Sequence, residues 1–115
     1  MPARSQAATL PLHRFHMLLA LADGDRHGVG IMEAVLDQTG GRIRLWPAML
    51  YRNLQQMVDE RLIEEVEGPG SPQVGSPRFF RLTAAGRRAC AAEARRLEAA
   101  VELARSRRLL GGSRD

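Results

Sequence analysis

The chain contains no lysine: all 17 of its basic side chains are arginine, set against 13 acids for a formal net charge of +4. Every positive charge is therefore a planar fork suited to phosphate and carboxylate. Such a basic balance points to an anionic partner, nucleic acid first and a membrane surface second, with no partner as a third reading. Aromatic residues make up only 4% of the sequence, namely Phe15, Trp46, Tyr51, Phe79 and Phe80. A core must then be assembled from Leu, Ile, Val, Met and Ala, which favours helices. The single cysteine, Cys90, excludes an internal disulfide. No segment combines a basic start, an apolar run and a cleavage site, so a cytoplasmic location is expected. The longest strongly apolar run, Met17 to Ala22, falls far short of the ~20 residues that cross a bilayer, which excludes a membrane-spanning helix.

What is present is the composition of one ordinary globular domain, 115 residues with 44% hydrophobic and 26% charged, too short for a second domain. Residues 1–9 carry no periodicity and read as a flexible arm. From Leu10 onward, Leu12, Phe15, Leu18, Leu19 and Ala22 recur at three- and four-residue steps, which predicts a first helix with one buried stripe, ended by Asp23-Gly24-Asp25. A second amphipathic helix over about 28–39 sets Ile31, Met32, Val35 and Leu36 against Glu33 and Asp37, and Gly40-Gly41 ends it. Arg42-Ile43-Arg44-Leu45 alternates as an extended segment does. Pro47 opens a third helix to about residue 60, with Leu50, Leu54, Met57 and Val58 facing the core and Ala48, Arg52, Gln55 and Asp59 facing water.

Two strands, near 62–66 and 78–82, flank a Gly/Pro/Ser-rich stretch over 68–77 and predict a hairpin with a mobile tip. Thr83 suits the N-cap of a last helix over 84–108. A helix of ~25 residues is ~37 Å long and overhangs so small a body. Along it Cys90, Ala94, Leu97, Val101 and Ala104 repeat at coiled-coil spacing. An apolar seam on an overhanging helix needs a partner, here a second copy of the chain. Residues 109–115 read as a flexible tail.

The expected fold class is mainly α with a small β-hairpin: a winged helix-turn-helix over 10–83 followed by a long C-terminal dimerisation helix over 84–108. In that arrangement the third helix enters the major groove and the hairpin touches the backbone beside it. The charges fit. Between Gly41 and Met57 stand Arg42, Arg44 and Arg52 with no acid, Arg78 and Arg81 lie on the hairpin, and the acids gather from Asp59 to Glu67.

His27-Gly28-x-x-Ile31, Gly40-Gly41-Arg42-x-x-Leu45-x-Pro47-x-x-Leu50-Tyr51-Arg52-x-Leu54, Leu62-Ile63-Glu64 and Arg78-Phe79-Phe80-Arg81-Leu82-Thr83-x-x-Gly86-Arg87 together resemble the PadR-type transcriptional regulators with a short C-terminal helix. The resemblance spans about residues 10–110. It implies a homodimeric winged-helix repressor whose last helix is swapped against its partner and whose effectors bind near the dimer interface. Members of the family usually carry Ser before the proline, then a small residue and Thr or Ser after it; here these are Trp46, Ala48 and Met49. The hydroxyls that would cap the helix and bond phosphate are absent. Arg61 stands where a Gly commonly ends the third helix, and Ala84 where a Pro often starts the last.

The candidate DNA-binding residues are Arg42, Arg44, Ala48, Tyr51, Arg52, Gln55, Arg78 and Arg81. Arg42 and Arg44 could clamp the backbone, Arg52 could meet phosphate or a guanine edge, and Gln55 could read adenine. For Arg42, Arg44 and Gln55 the plain alternative is a solvated side chain, and for Arg52 it is an exposed arginine paired with nearby acids. The resemblance implies a phosphate contact for the Tyr51 hydroxyl, with half-buried packing as the alternative. Strand alternation pairs Arg78 with Phe80 and Arg81 with Phe79. Trp46 could fill a gap between the third and last helices, stack on a small aromatic effector, or wedge against DNA. His13, His16, His27 and Cys90 include metal-ligating types but complete no metal site, and Cys90 reads as a small hydrophobe on the seam.

No nucleophile stands beside a paired base and no glycine loop links a strand to a helix, so neither catalysis nor a cofactor is expected. The expected partners are double-stranded DNA, a second copy of the chain and a small aromatic effector, without a membrane. The reading is a homodimeric regulator, most simply a repressor, on an inverted-repeat operator. Its alternative is a winged-helix protein-interaction module that has lost DNA binding, favoured by the hydroxyl-free start of the third helix.

Overall fold

The computed structural model describes residues 9–69 and 77–111. The elements follow the order α1 (Leu12–Ala20), β1 (Arg26–His27), α2 (Gly28–Gln38), α3 (Pro47–Asp59), β2 (Ile63–Val66), β3 (Phe79–Leu82) and α4 (Ala84–Ser106). The arm over 1–8, the hairpin tip over 70–76 and the last tail residues over 112–115, all expected to be flexible, lie outside the described residues.

The hairpin strand β3 is the centre of a three-stranded antiparallel sheet, ordered β1-β3-β2. β3 pairs with β2 through Ile63↔Leu82 and Val66↔Phe79, and with β1 through Arg26↔Phe80 and His27↔Phe79. β1 has only two residues, too few to show an alternation in sequence, and the turn expected after α1 leads directly into it. Its position ties the start of α2 to Phe79 and Phe80 at the beginning of β3. The His27 side chain caps α2 by accepting the Gly30 N–H at 2.9 Å, and its ring meets Phe79 edge to face.

The core is one cluster in which Met17, Leu18, Ile31, Val35, Leu45, Leu50, Leu54, Met57, Ile63 and Phe80 are essentially sealed from water. Two expectations for α1 are corrected. Leu12 and Leu19 are exposed, whereas Met17 and Leu21 are buried. In a run apolar on almost every side, spacing alone does not select the buried stripe. Cys90, expected on the seam, is instead buried in the protomer's own core. The early part of α4 packs on α1 and β3, and Gly86 allows it: a Cβ there would run into the carbonyl oxygen of Leu62. Thr83 secures the same junction by accepting the Gly86 N–H at 2.9 Å while its hydroxyl donates to Arg61 O at 2.7 Å.

Three helices end in the same way. Gly40, Arg61 and Arg108 have φ of 62°, 65° and 63°, the left-handed region, just beyond the caps of α2, α3 and α4. In each case the next residue's N–H closes a six-residue bond: Gly41 to Leu36 O at 2.7 Å, Leu62 to Met57 O at 2.9 Å, and Leu109 to Ala104 O at 2.9 Å. This is the Schellman termination, with glycine at one helix and arginine at two.

Candidate nucleic-acid interface

Gly40 and Gly41 turn the chain out of α2, and Thr39 Oγ1 accepts the Ile43 N–H at 3.0 Å, which starts the extended segment before α3. Successive residues then point to opposite sides. Ile43 is half-buried and Leu45 fully buried, so Arg42, Arg44 and Trp46 are all on the outside. Pro47 opens α3 with fixed φ and no N–H to leave unpaired. Leu50, Leu54 and Met57 bury one face of α3, and Ala48, Tyr51, Arg52 and Gln55 are exposed on the other.

These side chains are not equivalent. Among the described residues, Arg42 and Arg52 have no ion-pair partner. The Arg44 guanidinium stands 5.6 Å from the centre of the Trp46 ring. Gln55 donates to Asp59 Oδ1 at 3.0 Å, one turn along the same helix. Tyr51 is 44% exposed, and its ring covers Gly28 so closely that a Cβ at Gly28 would come within 2.8 Å of the hydroxyl oxygen. The tyrosine therefore both packs on the start of α2 and offers its hydroxyl at the edge of the exposed face.

The wing arginines have partners within the protomer. Arg78 lies over the Phe80 ring, as the alternation predicts, and bonds Glu65 at 2.9 Å. That bond to Glu65 holds the guanidinium pKa above its ordinary value. Arg81 donates from Nε and Nη2 to the two oxygens of Asp25, at 3.1 and 2.9 Å. The same fork lowers the Asp25 pKa. Arg81 thus ties β3 to the loop before β1.

Sequence reading missed what holds α3 from behind. Asn53 is buried at 7% exposure, donates to Met49 O at 2.8 Å and accepts Arg14 Nε at 3.1 Å, with His13 Nε2 3.3 Å from the same oxygen. Arg14 continues to Glu60 at 2.8 Å and Gln56 at 2.6 Å, so one guanidinium on α1 fastens two positions of α3 and its C-cap. An apolar periodicity cannot reveal a polar residue on the core face. His13 and His16 are thereby accounted for: His16 lies 3.0 Å from Gln38 Nε2, and burial lowers its pKa. Among the described residues no cluster of three or more His, Cys, Asp or Glu could hold a metal ion.

Beyond its junction with the body, α4 extends outward. At 23 residues it is ~34 Å long. From Ala94 to Leu103 every residue is exposed, Leu97 at 37% and Val101 at 43%, and Ala104 is half-buried. Glu93, just before this stretch, is buried and bonds the Leu10 N–H and the Arg96 guanidinium. Trp46, for which packing was one expectation, is 64% exposed, so it fills no gap within the protomer. A depression of about 350 Å³ beside α2 is lined by Glu33, Leu36, Asp37, Gly40 and Gly41, without an aromatic wall. None of the described helices is long and apolar enough to cross a membrane.

The architecture has close counterparts among solved structures. A PadR family transcription regulator from Clostridium difficile R20291 superposes with a TM-score of 0.69 at 14% identity, over 84% of this chain and 97% of its own. A transcriptional regulator from Clostridium thermocellum gives 0.68 at 16% identity, over 83% and 90%. RosR of H. salinarum gives 0.60 at 21% identity, over 95% and 100%. These likenesses show the winged-helix fold. No curated protein matches the sequence. The sequence model of the Transcriptional regulator PadR-like family matches residues 17–92, from the core of α1 through the wing to the buried start of α4. PadR regulators are non-enzymatic DNA-binding proteins. The fold, the exposed arginines on and before α3 and this match over about two-thirds of the chain agree: the chain belongs to the PadR-like family of transcriptional regulators.

Proposed function

We propose that the chain is a cytoplasmic, homodimeric repressor that reads an inverted-repeat operator through α3. The observation that carries this is the unpaired arginine face: Arg42 and Arg52 have no ion-pair partner among the described residues, and no acid interrupts 42–57. Arg52, central on the exposed face of α3, supplies a fork for phosphate or a guanine edge. Arg42 and Arg44 supply backbone contacts on the approach to the helix, Ala48 lets the helix come close, and Tyr51 offers its hydroxyl to phosphate. Gln55, now turned to Asp59, would have to leave that bond to read a base. Arg78 and Arg81, held by Glu65 and Asp25, support the wing and serve as secondary contacts.

Dimerisation through Ala94, Leu97, Val101 and Ala104 is supported by the exposed apolar side chains on the projecting half of α4. Two copies related by a two-fold axis present two α3 helices to successive major grooves. Release by a small aromatic effector at the dimer interface belongs to the same proposal. The test is stoichiometry. Sedimentation of the full chain with a duplex enriched from a random pool should show two protomers per inverted repeat. An isolated half-site should bind far more weakly. One protomer per duplex, with equal affinity for half and whole sites, would overturn the dimeric reading.

A further inference from the structure

Trp46 gains little from its own protomer. It occupies the N-cap of α3, yet its side chain makes no capping bond, where Ser, Thr, Asp or Asn would make one. It exposes 64% of its surface, the most of any aromatic side chain described. The backbone nevertheless turns it away from the core. Leu45 before it is fully buried and Pro47 after it starts the helix, so the indole can only point outward. The Arg44 guanidinium stands over the ring, 5.6 Å from its centre, in a cation–π contact.

The surroundings select the occupant. The indole belongs to a surface with Arg42, Arg44, Ala48 and Arg52, and no acid occurs between Gly41 and Met57. The charge around it suits a polyanion. N-terminal residues of a recognition helix are the ones that contact base edges. Of the groups on base edges in the major groove, the thymine C5 methyl is the apolar one. We propose that Trp46, braced by Arg44, is a specificity-determining residue that contacts a thymine methyl at the N-terminal end of α3, once in each half-site. This rests on the DNA-binding reading above and adds a base preference to it. Arg44 then has two tasks, covering one face of the indole and meeting the adjacent phosphate.

The test removes the methyl and nothing else. Duplexes enriched from a random pool by the full chain are resynthesised with deoxyuridine at each thymine in turn. Their affinities are measured by anisotropy for the parent protein and for Trp46→Ala, with circular dichroism to confirm that both are folded. One thymine per half-site should weaken parent binding by about 3- to 10-fold when demethylated, the scale of one buried methyl per contact. The same duplex should bind Trp46→Ala with unchanged affinity. Trp46 is the sole tryptophan, so its fluorescence should change with operator and less with the demethylated duplex. Equal sensitivity of the two proteins to uracil, or no thymine dependence in either, would overturn the inference and leave DNA binding intact. A pool in which no sequence is enriched would remove both, and would turn the search for the occupant of Trp46 toward a protein.

Discussion

Replacing Arg61 by glycine should stabilise the protein, although glycine usually weakens a fold. Arg61 has φ of 65°, immediately after α3, where its N–H bonds Val58 O at 3.0 Å and that of Leu62 bonds Met57 O at 2.9 Å. A residue with a Cβ is disfavoured in this region by roughly 1–2 kcal/mol. Glycine avoids that cost, but the greater freedom of its unfolded chain offsets about 0.5–1 kcal/mol. The Arg61 side chain is exposed, with no ion-pair partner among the described residues, and its carbonyl, which receives the Thr83 hydroxyl, is backbone. Nothing else is lost. The net gain should be about 0.5–1 kcal/mol, a rise in Tm of about 2–6 °C for a domain of this size. Thermal unfolding must be compared at equal protomer concentration, because a dimer's Tm depends on it. The reverse change, Gly40→Ala at φ 62°, should lower Tm by a similar amount. An Arg61→Gly variant with Tm at or below that of the parent would refute the account of how α3 ends.

Gly86→Ala should cost about 3 kcal/mol or prevent folding, since its Cβ meets the backbone oxygen of Leu62, which cannot move aside; chemical denaturation of purified protein checks it. Arg52→Ala should weaken operator binding at every salt concentration and reduce the slope of log K against log salt by about 1 if the contact is to phosphate. Leu97→Glu with Val101→Glu should give a folded monomer by sedimentation, because both side chains are exposed within the protomer. Burial raises the Cys90 pKa, with nearby Arg87 opposing. The folded thiol should therefore resist thiol reagents near pH 8, and react promptly once the protein is denatured. In linkage terms its contribution to stability is complete below the unfolded thiol pKa and is lost as pH rises through the higher folded value. A Cys90→Ala variant, measured across that alkaline range, should show a shallower loss of stability.

Much of the fold was legible because its signals are local. Pro47 and Thr83 mark two helix starts, Gly40-Gly41 marks an end, and the alternation from Arg42 to Trp46 places the arginines outside by the same rule that buries Leu45. What escaped depends on contacts between distant segments. β1 exists because β3 offers it an edge. Asn53 is buried because Arg14 and His13 reach it from α1, and Cys90 leaves the seam because the start of α4 lies against the body. In the interface, sequence identified the exposed face of α3 but not the pairing of its charges. Strand alternation says which phenylalanine Arg78 and Arg81 accompany but not which acid they meet, and only the fold brings Glu65 and Asp25 to them.

The central claim is that α3, with Arg52 on its exposed face and Arg42 and Arg44 before it, recognises particular DNA. The most direct measurement is binding of the purified chain to the DNA upstream of its own gene, at two salt concentrations, with unrelated duplex as competitor. The account predicts saturable binding that survives the competitor and weakens steeply as salt rises, because phosphate contacts release counterions. Weak binding abolished equally by any duplex would contradict it, and would favour a winged-helix module that docks a protein through the face around Trp46.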